Sequence, residues 1–419
     1  MSRLVIQVNS IDGIQFKGKI VNLLCLFYLM LWILVPAFSV IANRGIFRVL
    51  FAVIFFLWIC TAIQNLPGDV VLTEVALFGI FALVQTLYGF IGYGDIQFYD
   101  AVNYYLLFGF AINSMLYSKI DSQKLDLFII KYSMILLFIT IVTTLIALHK
   151  NGNVARLLTA SQTNADVTEQ LRGENIGAFD FIYGLVVLFP VYIIAFAKGE
   201  KVMKVLSSVM TVAILFCVIK SNFTTALLLI FVGIFLPFIL NGSKNILVKI
   251  FIIVTIAIVV PIALPYFLRL VYAHTTSILA KEKINGLLLF MSGANGAEAV
   301  SSRVTLFKLS FKSFLNSPII GVGGYYRTTT VAYVGKHAQF IDDLARYGMI
   351  GATPLLAFLH FSIKKSVSHS TLKESVLFPS IIIFVALGFL NPIYNYGILA
   401  CFFIISTTMA RYIDRRNKA

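Results

Sequence analysis

The sequence predicts an all-α, polytopic membrane protein, and three observations carry that prediction. Hydrophobic residues make up 59% of the 419 residues and charged ones only 12%, about half the charged share of a soluble domain. Mean hydropathy is +0.93. The apolar residues gather into runs close to the roughly 20 residues a helix needs to cross the hydrocarbon core, and no short alternating segments of a membrane β-barrel stand among them. A soluble multidomain chain, a disordered or collagen-like chain and a secreted disulfide scaffold are all excluded by these numbers.

Twelve runs follow one another: 20–42, 46–63, 70–91, 101–117, 127–148, 178–197, 205–219, 222–240, 250–268, 347–363, 376–392 and 394–410. The first comes after Lys17 and Lys19. It is too long for a signal-peptide core and lacks a small-residue cleavage site, so it reads as a retained anchor. The pair on either side of Lys220 is the least clearly divided. Cys25, Cys60, Cys217 and Cys401 all fall inside runs, where they read as small packing residues and not as a disulfide framework. The chain, 1–419, is thus expected to form a single integral membrane domain.

Lysines and arginines in the short loops give the orientation. With the N-terminus in the cytoplasm, the inside segments hold Arg3, Lys17, Lys19, Lys119, Lys124, Lys198, Lys201, Lys204, Lys244 and Lys249. Lys364, Lys365, Lys373, Arg411, Arg415, Arg416 and Lys418 complete that side. Only Arg44, Arg48 and Lys220 lie in short outside loops. Both termini therefore belong inside. Much of the net charge of +15 is then a topology signal, and since no basic–aromatic motif accompanies it, no nucleic-acid partner is expected.

This alternation leaves two long segments outside, 149–177 and 269–346. The second is long enough to need structure of its own. Its cations are Arg269, Lys281, Lys283, Arg303, Lys308, Lys312, Arg327, Lys336 and Arg346, and they outnumber Glu282, Glu298, Asp342 and Asp343. It is either a solvated basic loop or a site for an anionic, membrane-borne ligand. Guanidinium groups suit phosphate because their fork donates two parallel charge-assisted hydrogen bonds.

Residues 301–315 read as an amphipathic helix, with Val304, Phe307, Phe311, Phe314 and Leu315 on one face. Ser301 or Ser302 is placed to cap it, and Pro318 follows its end. Such a helix could rest in the membrane interface or pack on the spans; packing is the simpler role for its phenylalanines. Beyond it, Gly321 and Gly323 permit tight turns and close approach of the backbone to a ligand. His337 lies just before the tenth run. A histidine there is either a structural hydrogen-bonder or a proton-transfer group, because its ordinary pKa is near working pH.

No metal is expected. Histidines 149, 274, 337, 360 and 369 are scattered, without ligand spacing. Asp342 and Asp343 are adjacent, and neighbours on a helix do not share a face. Asp95 and Asp100 are either a metal-binding pair or a solvated turn. Glu74 and Lys131 fall inside runs, where an ionisable residue costs about 2.5–3.5 kcal/mol. They are expected to pair with each other or to serve a proton relay.

The order of the pieces in 302–351 carries a resemblance. An arginine-bearing helix precedes a Pro–x–x–Gly–Val–Gly turn, then His337 and Phe340, then Tyr347-Gly348-x-x-Gly351 opening a span. With Arg303, Pro318, Gly321 and Gly323 as the matching residues, this resembles the O-antigen polymerase and ligase superfamily. Ala338 stands where ligases often carry asparagine, which favours the polymerase branch. The resemblance also implies a functional arginine in the earlier outside loop. Arg172, in Leu-Arg-Gly, holds that place, with Arg156 a second candidate. The spaced Arg–Gly repeat of some polymerases follows none of Arg156, Arg172 or Arg303.

What the resemblance implies is a metal-independent glycosyltransferase without cofactors at the periplasmic face of a bacterial inner membrane. It would join repeat units carried on undecaprenyl pyrophosphate, with membrane lipid around it and a chain-length regulator as an accessory partner. His337, Arg303 and Arg172 would be catalytic. Arg156, Arg327, Lys336, Gly321, Gly323 and Tyr325 would bind pyrophosphate or glycan. Two other readings stay open: a ligase moving finished polymer to lipid A–core, and a flippase-type transporter of the same lipid-linked oligosaccharide. Transporters typically show related halves, and the sequence has no convincing internal repeat.

Overall fold

The computed structural model describes residues 2–42, 46–91, 98–120, 122–158, 165–241, 265–275, 278–291, 298–324, 332–367 and 375–416. These residues form an all-α protein in which six helices are long and apolar enough to cross a membrane. Helices stand at the apolar runs because only a helix satisfies every backbone donor and acceptor within its own segment.

The first run divides into α1 (Ser2–Leu34) and α2 (Pro36–Ala42). Pro36 has no amide hydrogen, so the ladder stops there and a new helix starts on its fixed φ. Next come α3 (Ile46–Asn65), α4 (Gly68–Phe90), α5 (Phe98–Lys119) and α6 (Gln123–Lys150). Ser122 caps α6 by accepting from the Leu125 amide at 3.3 Å. The first of the two long connections contains the single turn α7 (Val154–Leu157) and α8 (Ala165–Gly173). The hairpin α9 (Phe179–Lys198) and α10 (Lys201–Lys220) leads through a tight turn into α11 (Thr224–Asn241).

The ninth run lies largely outside the described residues; a helix at 265–274, α12, is its described end. The second long segment then holds α13 (Ile278–Met291) and α14 (Glu298–Asn316). The chain finishes with α15 (Gln339–Ser366), α16 (Phe378–Leu390) and α17 (Tyr396–Arg416), whose middle, Ala400–Ser406, is π-helical.

α9 is the enclosed centre, packed by α10, α11, α16 and α17. Lipid tails are as apolar as leucine, so close packing and interhelical hydrogen bonds must hold such helices together. Asn22 supplies several. Its amide donates to the Trp58 carbonyl at 2.9 Å, to Asn113 at 2.8 Å and to Thr61 at 3.0 Å. Tyr117 donates back to the Asn22 oxygen at 2.7 Å, joining α1, α3 and α5. All four cysteines are free thiols.

Side-chain contacts sort the connections into two ends. At one, Lys365 reaches Glu74 at 2.6 Å, and Arg411 and Arg415 meet Asp126 at 3.3 and 2.9 Å. The expected Glu74–Lys131 pair is therefore corrected. Lys131 points outward, because nothing in the local sequence of α6 turns that face toward α4. At the other end gather α7, the α10–α11 turn, α14 and the approach to α15.

That approach differs from expectation too. α15 starts at Gln339, ahead of the expected span, so Asp342, Asp343 and Arg346 are helical and buried. The helix breaks at Gly348, where φ is +57°. The loop before α15 repairs the break. Val322 and Gly323 donate to the carbonyls of Ala345 and Arg346 at 2.8 Å, while Met349 and Ile350 donate to Pro318 and Ile319 at 2.8 and 3.1 Å.

Candidate functional site

Three of the expected cationic or proton-transfer residues come together at the second end. α7 carries Arg156, whose Nη2 donates to the Asn222 carbonyl and whose guanidinium lies 5.4 Å from the centre of the Phe223 ring. Asn222 is held in the left-handed region at φ +60°, and its side chain donates to the Gly152 carbonyl at 2.8 Å. Asparagine tolerates that backbone better than most residues. The α10–α11 turn thus anchors the loop bearing Arg156.

Arg303, near the start of α14, donates from Nη1 to the Thr225 hydroxyl at 2.7 Å, in the first turn of α11. Tyr183 on α9 faces Thr225 and Asn391 and lies within the electrostatic reach of both guanidinium groups. Asn391 is buried beside it.

His337 is exposed on one side and close enough to Arg303 to feel its charge. Partial burial and then that charge pull its imidazole below the ordinary range. The neutral ring, able to accept a proton, is the form this favours at neutral pH. Arg156 is also pulled down, by burial first and with a contribution from Arg303. An anion bound among these groups would relieve both effects.

The hydrogen bonds around His337 run through Asp342. One of its oxygens accepts from the Ala338 amide at 3.0 Å and the other from Ser310 of α14 at 2.6 Å. Ser310 accepts in turn from the Gly335 amide at 2.8 Å. The carboxylate therefore ties the helix carrying Arg303 to the turn carrying His337. Burial pushes it up to about 6, against the hydrogen bonds that lower it. Asp343 goes another way, accepting from Tyr104 at 2.5 Å and Gln339 at 3.0 Å.

The remaining expected residues are distributed differently. Arg172, at the end of α8, stands apart from Arg303 and His337. It lines a small cavity with Asp180, Trp32, Pro36 and Tyr396, on another side of the first turn of α9. Gly321 and Gly323 are buried and have positive φ. Their amides are taken, by Ser317 and Arg346, so neither is open to cradle a phosphate. A Cβ at Gly321 would come within 2.3 Å of the Arg346 carbonyl oxygen, which accounts for glycine there. Lys336, half-buried at φ +58°, directly precedes His337. Tyr325 and Arg327 lie outside the described residues, as do Asp95 and the side chain of Asp100.

Sequence reasoning missed Tyr183, Asn222, Thr225 and Asn391. Each is a polar residue near the end of an apolar run. That position was the available signal. Among the described residues no three His, Cys, Asp or Glu side chains group as metal ligands do. No family model, curated protein or solved structure matches the chain.

Proposed function

We propose that this protein is a polysaccharide polymerase of the bacterial inner membrane, an O-antigen polymerase of the Wzy type. It spans the bilayer twelve times, with both termini in the cytoplasm and the Arg156–Arg303–His337 end in the periplasm. Its donor is a glycan on undecaprenyl pyrophosphate, and its acceptor is a single lipid-linked repeat unit. The observation that carries the reading is the convergence of two guanidinium groups and a proton-accepting imidazole at one end of a membrane bundle.

An acceptor hydroxyl oxygen attacks the anomeric carbon of the donor sugar, and the bond from that carbon to the pyrophosphate oxygen breaks. His337 takes the hydroxyl proton. Arg156 and Arg303 hold the negative charge that grows on the leaving pyrophosphate, a preorganised electrostatic role worth roughly 10²–10³ in rate per donor. Arg172 meets substrate at its own cavity. No metal is assigned a step.

A second reading, a flippase-type transporter, draws support from the break in α15 beside the buried Asp343 and Arg346, since transporters build their sites on discontinuous helices. Deleting the gene in its host separates the readings. A polymerase leaves core bearing one repeat unit, restored to long chains by the intact gene but not by His337→Ala. A ligase leaves polymer on the lipid carrier and bare core. Single units trapped on the cytoplasmic leaflet would overturn the enzyme reading.

A further inference from the structure

The two faces of α14 differ in exposure. The inner face packs on α15, with Ser310 and Ser313 buried. On the outer face Phe307, Phe311 and Leu315 remain 39%, 45% and 59% exposed. These are the phenylalanines expected to pack on the spans; the helix turns them the other way. Lys308 and Lys312, both exposed, flank the same face.

The exposed patch does not end with the helix. Ile319 and Ile320 continue it, and backbone bonds place Met349 and Ile350 beside them. Tyr88 of α4 donates to the Ile320 carbonyl at 2.5 Å. That contact brings the patch to Leu87, Phe90 and Ile91, the exposed top of a helix long and apolar enough to cross the membrane. A soluble face of this size would be an anomaly. Here it continues a lipid-facing surface.

We infer that α14 lies in the membrane surface, with its outer face sunk into the leaflet at the site's end and Lys308 and Lys312 among anionic phospholipid headgroups. Amphipathic helices with lysine-flanked aromatic faces bind bilayers in this way. The consequence is a fixed depth for Arg303, one turn before Phe307. Its guanidinium is held where the phosphates of a lipid-borne ligand travel. The inference rests on the membrane character of the chain and not on glycosyl transfer.

The test uses the full chain in nanodiscs of phosphatidylcholine and phosphatidylglycerol. A bimane label is placed at Phe311→Cys, at Leu315→Cys and, as a water-exposed reference, at Gln170→Cys, with the parent protein as the background for native thiols. Lipids spin-labelled near the headgroup should quench the first two and spare the third, while iodide does the reverse. Spin-labelled phosphatidylglycerol should quench the Phe311→Cys label more strongly than its phosphatidylcholine counterpart. The preference should fall by about fivefold for each of Lys308→Gln and Lys312→Gln. Quenching by iodide at Phe311→Cys, or protection there from both lipid and iodide, would overturn the seating; the latter would mean that protein covers the face. Equal quenching by the two lipids would overturn the headgroup contact.

Discussion

The two ends of the bundle treat their cations differently. At one end Arg411 and Arg415 converge on Asp126, and Lys365 on the fully buried Glu74. At the other, Arg303 donates to a threonine hydroxyl and Arg156 to a backbone carbonyl. Among the described residues no carboxylate pairs with Arg303. Two buried opposite charges hold each other and have little left for a ligand. Arg303, answered by a neutral oxygen, keeps its charge for one. The contrast separates charge that builds the fold from charge that, on the proposed reading, serves a site.

Breaking the paired end should have the largest effect. Asp126→Ala leaves Arg411 buried against nothing of opposite sign, and removing one partner of a buried pair costs about 3–5 kcal/mol. Thermal unfolding in detergent micelles should show that loss. Unchanged stability would erase the contrast. Arg303→Ala should behave oppositely. Stability should change by about 1 kcal/mol or less, as for most exposed sites away from special features, while turnover falls roughly 10²–10³-fold. Arg303→Lys keeps the charge without the planar fork; full activity in that variant would remove the bidentate contact from the account.

Gly321→Ala sharpens the comparison from the side of the backbone. The positive φ and the Arg346 carbonyl beside the new Cβ should cost about 1–3 kcal/mol, read in the same unfolding assay. The last effect, at Asp342, is one of pH. Its carboxyl is pushed up to about 6, chiefly by burial, so the folded protein binds that proton more tightly than the unfolded chain does. The stability it contributes is present below the unfolded pKa of about 3.9 and declines as pH rises toward the folded value. Asp342→Asn should flatten that decline, measured as unfolding midpoint between about pH 4 and 6.

Much of the fold was legible because a span writes itself as a continuous apolar run. Arg156, Arg303 and His337 drew notice for a related reason: they stand in the two long connections between apolar runs, where no span dictates their character. Lateral relations left no such trace. Glu74 meets Lys365 instead of Lys131 because helix neighbours depend on which faces pack, and α4 and α6 carry apolar residues all round. The cluster at Gly321 and Gly323 has ligand-binding composition, yet its amides serve a break in α15 that no local pattern announces. Helix α14 also began earlier, at Glu298, so Ser301 and Ser302 lie within it and do not cap it. The polar residues Tyr183, Thr225 and Asn391 were read as parts of spans. Only the packed structure brings them to the arginines.

The most direct test supplies the purified protein, in nanodiscs, with lipid-linked single repeat units isolated from its host lacking the gene. The account predicts longer lipid-linked glycans and one undecaprenyl pyrophosphate released per bond formed. It also predicts loss of both with His337→Ala and with Arg303→Ala, and an acid limb of the pH–rate profile below the ordinary histidine value of about 6.5. Elongation at the wild-type rate by either variant, or none by the wild-type protein, would contradict it.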